Sequence, residues 1–180
     1  MAQSLRAQTP CLGRWISTII GRFRCCGPPW PVRMRGSPGL PEELRNLIRN
    51  LVHLPEAQTH IERLVPIGLK YDCPDASGLP PAQIAGCEGL PEMLAYFLRL
   101  KPDPGHVNGY GGTLLRTIIH GAENCPSRAA RDHVACVRLV LQKGVSLPTD
   151  AIRLAGAPEM AAFSTKWVAR CPGQVVDGRA

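Results

Sequence analysis

No acidic residue occurs before Glu42, no CxxC pair occurs anywhere, and no run approaches the roughly eighteen apolar residues of a membrane-spanning helix. Aromatic residues are scarce, at 5% of 180 residues. Each absence closes a possibility. Without apolar runs there is no transmembrane helix to expect. Without CxxC, the eight cysteines (Cys11, Cys25, Cys26, Cys73, Cys87, Cys125, Cys136 and Cys171) lack the pairing of zinc ribbons and thioredoxin-like redox sites, and they read as reduced, packed or incidental thiols. The missing acids make residues 1–41 a basic arm with six arginines. The remainder holds 15 basic and 14 acidic side chains, a net of +1 out of the chain's +7. A nearly neutral body argues against nucleic-acid binding, which needs basic residues gathered on one face.

What the chain has in quantity is punctuation. Glycine and proline number 18 each, one residue in five, while 44% of the chain is hydrophobic. That combination suits a folded chain of short elements. Residues 1–38 read as a basic, Arg-, Pro- and Cys-rich disordered arm, because "CCGPPWPVRMRGSPG" has no periodicity and its prolines block a helix. Two other readings stand beside that one. An acid-poor, Arg-rich segment has the composition of an organelle transit peptide, and the arm also suits an interfacial anchor with Cys25 and Cys26 as lipidation candidates. The apolar centre Trp15–Ile20 is too short for a secretory signal core.

An offset of 33 residues organises the rest. It carries Gly68 onto Lys101, Asp75 onto Asn108, Gly78 onto Gly111 and Pro80 onto Thr113. Landmarks sharing one period are the signature of stacked supersecondary units. Within the units, Met93, Leu94, Phe97 and Leu98, and again Val137, Val140 and Leu141, recur at helical spacing. Pro91 and Pro158 suit first turns of helices, where the missing N–H costs nothing.

On these residues the chain resembles the ankyrin-repeat family, whose unit is a β-turn followed by two antiparallel helices with the pattern D-x-x-G-x-T-P-L-H-x-A. Asp75, Gly78, Pro81, Ala85, Gly89 and Glu92 match one unit, with Pro80 in place of Thr and Gln83 in place of His. Asn108, Gly111, Thr113 and Leu115 match the next, where Leu114 replaces Pro and Arg116 replaces His. The resemblance implies an all-α solenoid of helix-turn-helix repeats joined by β-turn loops over 39–170. Its parts are a cap at 39–68, a repeat at 69–101, a repeat with an insertion at 102–144 and a degenerate cap at 145–170, followed by a tail, 171–180. The insertion is placed at Ala122–Arg131, between two helices.

It also implies a non-catalytic, cytoplasmic, monomeric protein-binding module with no cofactor, any membrane contact being left to the arm. Contacts in the family come from turn tips and first helices. Carried over, these are Tyr110 at a tip, Gln83 and Glu88 in one unit, Arg116 and His120 in the next, and Arg128 and Arg131 from the insertion. Tyr110 stands out, since aromatic and arginine side chains serve as interface anchors.

The residues around the insertion also suggest other chemistry. His120, Cys125, His133 and Cys136 are zinc-type ligands around the insertion, but H-x4-C-x7-H-x2-C matches no established zinc spacing. A metal-dependent or thiol enzyme centred on 122–131 is the competing function. Asp132 and His133 are adjacent and point about 100° apart on a helix, so they form no dyad. "GYGG" lacks the Lys-Ser/Thr ending of a phosphate loop and reads as a turn.

Overall fold

Prolines and glycines set the lengths of the helices. The computed structural model describes residues 46–178, all within one compact unit, Met34–Ala180; the arm 1–38, with its expected disorder, lies outside them. Eight α-helices are described: α1 Leu47–Leu51, α2 Gln58–Leu64, α3 Pro81–Cys87, α4 Pro91–Arg99, α5 Leu114–Asn124, α6 His133–Gln142, α7 Thr149–Leu154 and α8 Pro158–Arg170. Proline is the first residue of α3, α4 and α8, as expected for Pro91 and Pro158. Glycines at positive φ follow α2, α3 and α6, namely Gly68, Gly89 and Gly144. Asp132 caps α6, its Oδ1 accepting the Ala135 N–H at 2.8 Å.

The described residues are mostly α-helical, and their only strands are two of two residues each, β1 Leu147–Pro148 and β2 Val175–Val176, which pair in parallel. Among the described residues no helix is long and apolar enough to cross a membrane.

Helices of odd number touch one another in order, α1 to α3, α3 to α5 and α5 to α7; those of even number do the same, α2 to α4, α4 to α6 and α6 to α8. Each odd helix also touches the even helix that follows it. The apolar stripes read from the sequence fill the interior. Leu94, Phe97, Val137, Val140 and Leu141 are all at most 1% exposed, and Ile118 of α5, which no stripe named, joins them at 0%. At roughly 25 cal/mol per Å2 of apolar surface removed from water, such stripes and not helix propensity hold these short helices. Small residues let α3 and α5 come close. A Cβ added at Gly121 would strike the Cys87 carbonyl, and one at Gly86 would come within 2.6 Å of the Ile118 side chain.

Two boundaries differ from the expectation. The proposed insertion begins inside a helix, because α5 has 11 residues against seven in α3, and Ala122–Asn124 form its last turn with Ala122 buried. What remains is Cys125–Arg131, with a 3-10 turn at Arg128–Ala130. The segment from Cys171, read as a tail, runs through a 3-10 turn, Pro172–Gln174, into β2. The Gln174 side chain donates to the Leu141 carbonyl at 2.6 Å and the Val145 carbonyl at 3.2 Å, holding it against the end of α6.

Candidate interaction surface

Two loops 33 residues apart are built by the same hydrogen bonds. In the first, Asp75 Oδ1 accepts the N–H groups of Ser77 and Leu79, both at 2.8 Å, while the Gly78 N–H donates to the Asp75 carbonyl and Asp75 N–H to the Leu79 carbonyl. In the second, Asn108 Oδ1 accepts from Tyr110 and Gly112 at 2.9 and 3.0 Å, Gly111 N–H donates to the Asn108 carbonyl, and Asn108 N–H to the Gly112 carbonyl. Such side-chain acceptors two residues upstream of the bonded N–H are why Asp and Asn begin turns. Gly78 and Gly111 both have φ of +76°, the left-handed region that any Cβ disfavours.

The loops also bind each other. Gly109 N–H donates to the Ser77 carbonyl at 2.8 Å, the Ser77 and Tyr110 hydroxyls are 3.0 Å apart, and His106 Nε2 is 2.8 Å from the Gly78 carbonyl. A carbonyl only accepts, so Nε2 of His106 carries the proton. Behind the tips, Asn108 Nδ2 donates to Gln83 Oε1 at 2.9 Å and Thr117 Oγ1 at 3.0 Å, Gln83 Nε2 donates to the His106 carbonyl at 2.8 Å, and Thr117 Oγ1 donates to the Thr113 carbonyl. The exchange of Asp75 for Asn108 has a physical reason here. Asn108 is buried, so a carboxylate there would lose hydration, and an amide adds the two donors that Gln83 and Thr117 accept.

The residues carried over as contacts do not form one patch. Tyr110 is 80% exposed at its tip, and Val107 nearby is 57% exposed. Gln83, expected on a contact face, is 1% exposed, because both ends of its amide are taken by His106 and Asn108. Arg116 pairs with Asp150 at 2.7 Å and so ties α5 to α7. Glu88, at the far end of α3 from the tips, is 3.1 Å from His53 Nδ1 and accepts the Cys125 thiol at 3.6 Å. His120 is exposed beside Asn124, Arg128 donates to the Glu123 carbonyl, and the Nε of Arg131 is buried without a partner.

The four metal-type residues have separate duties. His133 Nε2 donates to the Cys87 carbonyl at 2.9 Å, Cys125 meets Glu88, Cys136 is buried in α6 and His120 meets Asn124. Among the described residues no group of three or more His, Cys, Asp or Glu is placed to hold a metal ion. Burial is the largest cause of a raised thiol pKa at Cys87, pushed up to about 11, at Cys136, pushed up to about 12, and at Cys125.

The sequence reading did not single out His106 or Asn108 as functional, although the offset of 33 placed Asn108 on Asp75. No protein-family model matches the chain, and no curated protein matches it.

Proposed function

We propose that residues 39–170 form an ankyrin-type helical solenoid and act as a non-catalytic module that binds a protein partner through its turn tips and first helices. The observation that carries this reading is the pair of loops at Asp75 and Asn108, with one hydrogen-bond pattern and one φ at Gly78 and Gly111. The order of helix contacts, odd to odd and even to even, supports the solenoid. Tyr110 is the leading contact. A side chain 80% exposed and anchored only by its hydroxyl presents a whole aromatic face to a partner. Gln83 leaves the contact set for the framework, whereas Arg128 and His120 keep exposed positions at the opposite end of the helices.

The raised thiol pKa values of Cys87, Cys125 and Cys136 favour this non-catalytic reading over the alternative of a thiol enzyme, since a nucleophilic cysteine needs its thiolate near neutral pH. A cytoplasmic, monomeric protein is part of the same proposal.

The test is capture from a cell extract on the immobilised chain, its Tyr110→Ala variant, and a control, Arg138→Ala, altered on the even row of helices. A partner retained by the parent chain and by Arg138→Ala but lost with Tyr110→Ala supports the reading. Equal retention by Tyr110→Ala, with an unchanged circular dichroism spectrum, removes the turn tips from it.

A further inference from the structure

Lys101 is the one non-glycine at positive φ among the described residues, at +57°. It occupies the place that Gly68 and Gly144 hold at the ends of α2 and α6, where glycine adopts the same conformation without strain. A left-handed residue with a Cβ is strained, and such strain gathers at binding sites. Lys101 lines a cavity.

That cavity, of about 210 Å3, opens between the start of α3 and the loop that follows α4. Its lining includes the buried Ala82, Phe97 and Leu114, with Tyr71 and His106 beside them. The volume exceeds the roughly 150 Å3 of an engineered apolar cavity that admits benzene. Several polar groups of its walls are already engaged elsewhere, including Asp103 Oδ1, which accepts the Gly105 N–H at 2.9 Å. Tyr71 donates to the Leu100 carbonyl at 3.2 Å, and Gln83 and His106 bond to each other and to the turns. The buried Ala82, Phe97 and Leu114 suit an apolar occupant.

The exposed part of the lining is different. Lys101, Asp72 and Asp103 are exposed there, and among the described residues the side chains of Lys101 and Asp72 have no hydrogen-bond or ion-pair partner. An ammonium only donates and a carboxylate only accepts. Together they match the C=O and N–H of a peptide unit, which a hydrocarbon or a lipid tail would not offer.

We propose that this cavity takes one apolar side chain, of the size of leucine or phenylalanine, from an extended segment of a partner protein, with Lys101 and Asp72 holding the backbone beside it. The proposal rests on the protein-binding reading above and names the chemistry of the partner. Lys101 is a specificity residue held in a strained conformation for binding.

The probes are N-acetyl-phenylalaninamide, N-acetyl-leucinamide and N-acetyl-alaninamide, titrated into the 15N-labelled full chain. The first two should give saturable shifts at the amides of Gln83, Phe97, Lys101 and Leu114 with Kd of about 1 mM, the value that corresponds to roughly −4 kcal/mol for ligands of this size. The alanine probe should give none below about tenfold higher concentration. Lys101→Gly should raise the unfolding midpoint and weaken the phenylalanine probe at least threefold. Ala82→Leu, which fills the floor, should abolish the shifts; if it fails to fold, the wild-type shift map and Lys101→Gly decide alone. No saturable shift in the folded parent chain, equal shifts from the alanine probe, or unchanged affinity in Lys101→Gly would overturn the proposal. A chain that keeps a Tyr110-dependent partner yet ignores the phenylalanine probe loses the cavity alone, whereas loss of both removes the reading beneath it.

Discussion

Residues 69–101 and 102–144 open with the same turn and then part company. Asp75 and Asn108 bond the same backbone groups, and Gly78 and Gly111 share one φ. The helices behind them do not match: α3 has seven residues, with Pro81–Gly86 wholly buried, whereas α5 has eleven and exposes His120. One stretch ends on a strained Lys101 and the other on Gly144. The comparison teaches that the turn is the invariant of the design and the helix lengths are adjustable. A turn is fixed by hydrogen bonds within five residues, whereas a helix end is fixed by whatever it packs against.

The largest way to break the comparison is at the helix contact. Gly121→Ala pushes a Cβ into the Cys87 backbone and should cost about 3 kcal/mol in urea unfolding, since a backbone carbonyl cannot yield as a side chain can. Next comes the asymmetry between the turns. Asn108→Ala should cost about 2–3 kcal/mol, because it strands buried partners on Gln83 and Thr117 as well as the two turn amides. Asp75→Ala loses only the turn bonds of a half-buried side chain and should cost about 1 kcal/mol. Equal costs would mean that the buried amide network adds nothing to the second turn.

Lys101→Gly should stabilise the chain by about 1 kcal/mol, making the end of α4 like the ends of α2 and α6. Smallest is Arg128→Ala, expected within about 0.5 kcal/mol, since its exposed side chain bonds only the Glu123 carbonyl.

These differences also mark what the sequence could disclose. Asp75, Gly78, Asn108 and Gly111 were legible because turn chemistry is local. Pro91 and Pro158 announced helix starts for the same reason, and the stripe of Met93, Leu94, Phe97 and Leu98 announced a buried face. Gln83 was misplaced on the surface because its burial depends on His106 and Asn108, 23 and 25 residues away. The start of the insertion was misplaced because the last turn of α5 is held by the burial of Ala122, which no local signal records. Lys101 aligned with Gly68 in the sequence, but its left-handed conformation and the cavity it lines are visible only in the fold.

The central claim is that Asp75 and Asn108 open equivalent layers that lie directly against each other. It is tested most directly by nuclear magnetic resonance at one amide, Gly109, whose N–H donates to the Ser77 carbonyl. A scalar coupling across that hydrogen bond, together with slowed amide exchange, is the predicted result. A Gly109 amide that exchanges as freely as in an unfolded chain, with no contact between residues 77 and 109, would contradict it.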